Sequence, residues 1–134
     1  MKITMILAAL LACFQFSNAR TNQAERTVIS IAKSVTPSFS FVRGHRQGKG
    51  TSITWAMDSY DQIVSFDIEC TTQDPTDPYS VWEFKGSVSA SRSHMFTFKD
   101  ATVLPGILNY RITAYLADGT SVTSAIESVR LVSR

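Results

Sequence analysis

The sequence predicts an all-β fold, a seven-stranded antiparallel β-sandwich that follows an N-terminal signal peptide. From residue 38 onward, apolar and polar residues alternate in short runs, which is typical of strands with one buried face. Turn-forming residues separate the runs about every eight to twelve residues, and no helix-period segment interrupts residues 38–132. Seven strands at this spacing favour two packed antiparallel sheets over an open sheet or a barrel.

The size and charge of the chain narrow its class. With 134 residues, of which 44% are hydrophobic, it has room for one domain with a substantial core. The formal net charge is +2, and Lys2 lies in the segment expected to be removed, so the composition predicts no nucleic-acid partner. Beyond that segment, no run approaches the about 20 apolar residues that a membrane span needs.

Residues 1–19 have the pattern of a cleavable signal peptide. Lys2 supplies the positive start, residues 3–16 form an apolar run, and Ser17-Asn18-Ala19 provides small residues for cleavage. Cleavage near Ala19 predicts a mature protein that begins at Arg20 and is secreted, periplasmic or displayed at the cell surface.

A competing pattern lies within the same segment. Leu10-Leu11-Ala12-Cys13 resembles the lipobox of bacterial lipoproteins, in which a lipidated Cys follows a small residue. Leu11 is bulky for its position and residues 14–16 continue the hydrophobic run, so cleavage near Ala19 is the favoured interpretation and lipidation at Cys13 is the alternative. Cleavage would leave Cys70 as the only cysteine, which excludes an intramolecular disulfide.

The strand positions follow from the alternation. Residues 20–36 fit a lead-in strand, a helix or a flexible tether, and the sandwich is expected over residues 37–134. The last alternating run changes parity between Ile126 and Val129, which predicts a β-bulge near Glu127-Ser128. The seven strands are expected at residues 39–41, 53–57, 64–70, 82–84, 96–98, 110–116 and 122–132.

Turn chemistry supports these boundaries. Asp118-Gly119, between two apolar runs, predicts a hairpin turn because both residues tolerate positive φ. Residues 44–51 combine three glycines with Lys49 and Thr51, yet their spacing is one residue short of a phosphate-binding loop and a strand follows them. This segment is therefore predicted to be a flexible basic hairpin loop, suited to contact with an acidic surface or a glycan.

Two motifs resemble those of fibronectin type III domains, which are immunoglobulin-like β-sandwiches. Ile53-Thr54-Trp55 is similar to the family's second strand, whose Trp packs into the core. In residues 104–110 a Leu precedes a Tyr by six residues, as at the family's entry to strand F. The resemblance implies that Tyr110 is the tyrosine-corner residue, whose hydroxyl caps the corner of the sandwich.

The variant of this family found in secreted bacterial proteins gives a more detailed resemblance. Its spaced motifs are matched in order by Phe66-Asp67-Ile68-Glu69, Phe98-Lys99-Asp100, Tyr110-Arg111-Ile112 and Asp118-Gly119. The resemblance covers about residues 37–134 and implies a bacterial module of a type that usually sits beside enzymes, binding modules or sorting domains. The fold alone assigns no function.

The expected core consists of residues at the buried parity of the strands, namely Trp55, Phe66, Ile68, Tyr110 and Ile112. No catalytic, cofactor-binding or metal-binding set is predicted. His45 and His94 have no partner at metal-ligand spacing, and residues 74–77 fit a stiff solvated loop better than a calcium site. Asp67 and Glu69 point to solvent from the polar face of a strand, where acid/base catalysis is not expected.

Exposed aromatic residues are the remaining candidates for ligand contact. Tyr60, Tyr79 and Tyr115 fall in loops or on the outward parity of a strand, and the burial of Trp82 is left open. We expect a non-enzymatic, secreted or surface-associated module that contacts another extracellular or envelope protein, or serves as an accessory or structural domain. The alternative is a carbohydrate-binding module that uses these four aromatics, and the oligomeric state is left open.

Overall fold

In the computed structural model, residues 35–132 form eight β-strands. Their bounds are β1 (Phe39–Gln47), β2 (Gly50–Met57), β3 (Ile63–Thr71), β4 (Glu83–Ser89), β5 (Met95–Asp100), β6 (Gly106–Leu116), β7 (Ser121–Thr123) and β8 (Glu127–Leu131). Residues 1–34 and 133–134 lie outside the described residues, and with them the predicted signal peptide, its alternative at Cys13 and nearly all of the predicted lead-in. Within residues 35–132, no helix is long and apolar enough to cross a bilayer.

The strands form two antiparallel sheets. β1, β2 and β5 make a three-stranded sheet in that order, and the second sheet has five strands in the order β4-β3-β6, with β7 and β8 pairing in succession along the long strand β6. Side chains from both sheets share one core, in which the rings of Trp55 and Phe66 meet edge to face at 5.3 Å between centroids. The two sheets pack face to face, which confirms the predicted β-sandwich.

The last predicted strand, residues 122–132, is divided into two. The predicted bulge near Glu127-Ser128 is absent from β8, and the chain instead leaves the sheet between β7 and β8. Ser124 explains the break, because its hydroxyl accepts the Ile112 N–H at 3.0 Å while its own N–H donates to the Ile112 carbonyl at 2.8 Å. This side-chain bond replaces a backbone hydrogen bond between strands, and the inward-outward alternation changes between β7 and β8. The described chain therefore has eight strands and not seven.

The first strand corrects the prediction for residues 44–51. β1 continues to Gln47, with Gly44 opposite Ile53 and Gln47 opposite Gly50, so only Gly48 and Lys49 form the turn. Gly48 has a φ of +60°, as such a two-residue hairpin turn requires. The alternation is weak here because most of this stretch of β1 is exposed, yet β2 supplies backbone partners along its whole length. Residues 44–51 are therefore mostly paired strand joined by a two-residue turn, and not a long loop.

One side of the sandwich is closed where β1 passes β8. Gly44 lies against Val129 so closely that a Cβ at this position would collide with the Val129 side chain. The Gly44 N–H donates to Glu127 Oε1 at 2.8 Å, which gives this outward-facing backbone group of β1 a partner on β8. β4 and β5 are the terminal strands on the other side, and each pairs with only one neighbour within residues 35–132.

Candidate functional site

The outer face of the five-stranded sheet combines aromatic and charged side chains. In the register of this sheet, Glu69 of β3 lies opposite Phe84 of β4 on one side and opposite Arg111 of β6 on the other. Residues directly opposite each other point to the same face of a sheet, so the three side chains lie side by side. Trp82, one residue before β4, packs on Arg111 from the same face.

The charged pair on this face is held in place from two directions. Arg111 Nε donates to Glu69 Oε2 at 2.7 Å, and the Arg111 guanidinium carbon lies 4.1 Å from the centroid of the Trp82 ring. The side chains of Arg111 and Glu69 are 33% and 27% exposed, so both remain accessible from solvent. Phe84 is 59% exposed beside them. These four residues, Glu69, Trp82, Phe84 and Arg111, form what we term the aromatic-charged cluster.

The structure distributes the four predicted ligand contacts over three places. Trp82 belongs to the aromatic-charged cluster, and Tyr115, 41% exposed, lies farther along the same face of β6. Tyr60 precedes β3 and packs edge to face on His94 with centroids 4.7 Å apart, whereas Tyr79 follows β3 and is 89% exposed. Tyr60 and Tyr79 therefore lie beyond opposite ends of β3, and the face gathers only Trp82 and Tyr115 from the predicted set.

The other members of the cluster were missed by the sequence analysis. Glu69 was placed on a merely solvated face, and Phe84 and Arg111 were not considered as contacts. Their juxtaposition depends on the register of β3 with β4 and β6, including a bulge between Ile68 and Glu69. Alternation predicts that a residue faces outward, but it does not predict which outward residues of different strands become neighbours.

A second polar cluster is buried near the hairpin formed by β1 and β2. The Tyr110 hydroxyl donates to Asp100 Oδ2 at 3.1 Å and lies 2.6 Å from Thr51 Oγ1. Because a carboxylate only accepts, the Thr51 hydroxyl must be the donor to Tyr110. Lys85 Nζ approaches Asp100 Oδ2 to 3.4 Å, and these two side chains are only 7% and 2% exposed. We call Thr51, Lys85, Asp100 and Tyr110 the buried polar network.

This network corrects the implied role of Tyr110. A tyrosine-corner hydroxyl bonds to the backbone a few residues upstream. Here both partners are side chains, on β2 and at the end of β5, and Leu104, which the motif pairs with Tyr110, is 78% exposed. Tyr110 therefore links the two sheets through their interior and does not cap a corner.

The chemical properties of the buried polar network suit a structural role, in which it holds the two sheets together. Burial is the main reason why the pKa of the Cys70 thiol, next to Tyr110, is raised, and burial likewise raises the pKa of the Tyr110 phenol. Both groups stay protonated near neutral pH and are poor nucleophiles. The Lys85 ammonium also has two further partners, since it lies 3.3 Å from the Thr102 carbonyl and 3.6 Å from Glu83 Oε2.

The remaining predicted residues lie as follows. The five expected core residues, Trp55, Phe66, Ile68, Tyr110 and Ile112, are fully buried. Asp74 accepts bonds from the N–H and the hydroxyl of Thr76, and Asp77 accepts the N–H of Tyr79, so both carboxylates stabilise their own loop. Among residues 35–132, no three His, Cys, Asp or Glu side chains are grouped so that they could hold a metal ion.

Comparison with known proteins shows a likeness in fold. No family model matches the chain, and no curated protein matches it. A fibronectin type III-like (Fn3-like) protein from Clostridium thermocellum matches with a TM-score of 0.52 at 14% identity, over 75% of this chain and 98% of its own. At such identity the likeness shows the fold alone, and the sandwich is therefore Fn3-like.

Two pectate lyases match the chain with similar TM-scores, but only over part of their own length. Pel3 from Pectobacterium carotovorum matches with a TM-score of 0.53 at 18% identity, over 69% of this chain and 27% of the lyase. PelI from Erwinia chrysanthemi, in complex with tetragalacturonic acid, matches with a TM-score of 0.54 at 17% identity, over 70% and 28%. The chain thus spans little more than a quarter of each lyase, and this likeness also concerns the fold.

Proposed function

We propose that this chain is a non-catalytic, secreted or surface-associated module that recognises another protein through the outer face of its five-stranded sheet. The observation that carries the proposal is the aromatic-charged cluster, in which Trp82 and Arg111 are both partly exposed and already pack on each other. Trp, Tyr and Arg dominate the binding energy of protein interfaces, and side chains that are held before binding lose less entropy on association.

The proposal predicts that binding depends on this face and not on the opposite one. The double variant Trp82→Ser/Phe84→Ser removes both rings of the cluster, and Met95→Ser removes an apolar side chain, 59% exposed, from the three-stranded sheet as a matched control. The immobilised wild type and both variants are exposed to the extracellular fraction of the source organism. Quantitative mass spectrometry identifies proteins held by the wild type and the control but lost from the double variant.

A protein identified in this way is then purified and titrated against the same three proteins. We expect the double variant to bind at least about thirtyfold more weakly, as the loss of a central anchor does in known interfaces. Equal affinity for all three proteins would contradict the proposal. Circular dichroism and urea unfolding of each variant establish that the loss does not come from unfolding.

A carbohydrate ligand is the second candidate, because the Trp82 indole offers a stacking surface, and Arg111, on which it packs, and Glu69, which binds Arg111, offer hydrogen-bonding groups. The chain has two tryptophans, and Trp55 is fully buried, so its indole N–H signal is an internal control in an NMR titration. With tetragalacturonate or a neutral oligosaccharide, the Trp82 signal should shift and that of Trp55 should not. If the Trp82 signal stays fixed at millimolar sugar, the carbohydrate proposal fails.

The location of the protein is part of the proposal and has its own test. Cleavage near Ala19 gives a mature chain that begins at Arg20, whereas lipidation gives a modified chain that begins at Cys13. The intact mass of the protein from soluble and membrane fractions distinguishes the two. We expect the unmodified Arg20 form in the soluble fraction, and a lipid-bearing mass in the membrane would replace a free module with an anchored one.

A further inference from the structure

The hairpin of β1 and β2 overhangs a cleft with an apolar floor and a basic rim. The cleft has a volume of about 520 Å³. The aliphatic residues Val103, Pro105, Leu131 and Val132 line it, together with Arg46, Gly48 and Lys49 of the hairpin. Two smaller clefts adjoin it. One shares Pro105, Leu131 and Val132 and reaches Ile107 and Arg130, and the other shares Lys49 and reaches Lys99. We term the three together the basic groove.

The positive charge of the basic groove is not neutralised by the residues that line it. Its described lining contains Arg46, Lys49, Lys99 and Arg130, and the only carboxylate is that of Asp100. Asp100 is buried and already bound to Lys85 and Tyr110. Within residues 35–132, the ion pairs involve only Lys85 and Arg111 among the cations. The four rim cations therefore lack an acidic partner in the part of the chain that the structure describes.

The hairpin fixes the position of part of the rim. Arg46 Nε donates to the Gly48 carbonyl at 3.1 Å, which holds the side chain across the turn, and its terminal amino groups donate to no residue among 35–132. A guanidinium held in this way can take a carboxylate through two parallel hydrogen bonds. Lys49 stands at the tip of the same two-residue turn. The rim is thus suited to carboxylates, and clefts lined by one sign of charge attract ligands of the other sign.

The aliphatic residues of the floor favour a peptide ligand over a sugar. The described lining residues of the three clefts include no aromatic ring on which a sugar could stack. Ile107 is 50% and Val132 is 61% exposed, and such aliphatic groups suit the side chains of Leu, Ile or Val. We infer that the basic groove docks an acidic peptide segment with aliphatic side chains, presented by another protein. This site is separate from the aromatic-charged cluster and adds to the proposed function.

The test uses a synthetic probe, a fluorescein-labelled octapeptide in which Asp or Glu alternates with Leu or Val. Fluorescence anisotropy measures its affinity for the mature protein at 50 and 300 mM salt. The double variant Arg46→Gln/Lys49→Gln removes two rim charges. The matched control Arg43→Gln/Arg92→Gln removes two exposed charges from outside the groove. Val132→Ser alters the floor without changing the net charge.

We expect binding to the wild type that weakens as the salt concentration rises, because the rim charges are exposed. The rim variant should bind about tenfold more weakly, from about threefold for each exposed charge, while the control variant stays within about twofold of the wild type. Val132→Ser should also weaken binding. Trp82→Ser/Phe84→Ser should bind the probe like the wild type, which separates this inference from the proposed function.

Three results would overturn the inference. Equal losses in the rim and control variants would mean diffuse attraction to a positive protein. Equal binding of an octapeptide with Asn and Gln in place of the acids would mean that the rim is not used. Displacement of the probe by tetragalacturonate at equal or lower concentration than by the unlabelled octapeptide would mean that the groove takes acidic sugars and not peptides.

Discussion

Asp100 and Asp118 accept the same pair of local hydrogen bonds in the loops before and after β6. Asp100 Oδ1 accepts the N–H and the hydroxyl of Thr102, both at 3.1 Å. Asp118 Oδ1 accepts the N–H of Thr120 at 2.9 Å and its hydroxyl at 2.6 Å. Each turn follows from an Asp two residues before a Thr, because a carboxylate so placed closes the turn on its own backbone.

Apart from these turns, the two carboxylates differ in their solvent exposure and in their further bonding partners. The Asp118 side chain is in solvent, whereas the Asp100 side chain is 2% exposed and also binds the Tyr110 hydroxyl and the Lys85 ammonium. The same local motif is a surface turn in one loop and part of a buried network in the other. We therefore expect the surrounding packing to determine how much each carboxylate contributes to the free energy of unfolding.

The largest expected contrast comes from removing each carboxylate. Asp100→Ala removes the buried counter-charge of Lys85 and leaves it only the exposed Glu83 at 3.6 Å, and we expect it to lower the free energy of unfolding by about 3 kcal/mol. Asp118→Ala should leave the midpoint of urea unfolding nearly unchanged. Lys85→Met/Asp100→Leu should recover most of the loss, since it removes both charges from the interior. Equal effects of the two alanine variants would break the comparison.

The next effect concerns the hydroxyl that joins Asp100 to β2. Tyr110→Phe keeps the ring in the core but leaves Thr51 and Asp100 each without one partner. We expect a loss of about 1 to 3 kcal/mol in the free energy of unfolding, measured in urea. Tyr79→Phe, at an 89% exposed position, is the control and should have no effect. An unaltered midpoint in Tyr110→Phe would mean that the buried network contributes little.

A smaller contrast is expected between the two threonines. Thr102→Val removes a hydroxyl that bonds to Asp100 and lies 3.4 Å from Lys85 Nζ, and it should cost about 0.5 to 1.5 kcal/mol in the free energy of unfolding. Thr120→Val removes the equivalent hydroxyl from the exposed turn and should shift the unfolding midpoint less. A larger shift for Thr120→Val would show that the local turn, and not the burial, sets the cost.

The smallest expected effect is on how stability depends on pH, through the Asp118 carboxyl. The bonds from the Thr120 hydroxyl and then from its N–H lower the pKa of Asp118 below its ordinary 3.8. Because the folded pKa lies below the unfolded one, the stabilising effect is complete above the unfolded pKa and is lost as the pH falls through the folded pKa. An NMR titration of the Asp118 carboxyl carbon should show this lowered pKa. Thr120→Val should raise it back toward 3.8, and an unchanged value would exclude the hydroxyl as the cause.

The sequence predicted strands best where the alternation was strong and the strand was central. β3 was expected at residues 64–70 and spans Ile63–Thr71, since it pairs on both sides and buries one face. β4 was expected at 82–84 and spans Glu83–Ser89, which leaves Trp82 outside it. The Lys, Gly and Ser residues of β4 give a weak pattern, and pairing with β3 determines its length.

The candidate sites were predictable only in part. Trp82 and Tyr115 could be selected as aromatics that alternation did not assign to the core, but Glu69 and Arg111 became partners only through the register of β3 with β6. The basic hairpin at residues 44–51 was recognisable from its charge. The aliphatic floor beneath it comes from the segment between β5 and β6 and from the end of β8, which are far from the hairpin in sequence.

By itself the sequence determined the all-β class, the outward or inward parity of most strand residues and the hairpin turn at Asp118-Gly119, because these depend on contacts between residues close in the chain. Only the tertiary structure decided that Asp100 meets Tyr110 and Lys85, that Arg111 lies between Trp82 and Glu69, and that Arg46 overhangs an apolar cleft. These groups are brought together by strand pairing and sheet packing across long stretches of chain, and alternation along one strand carries no information about the register of another.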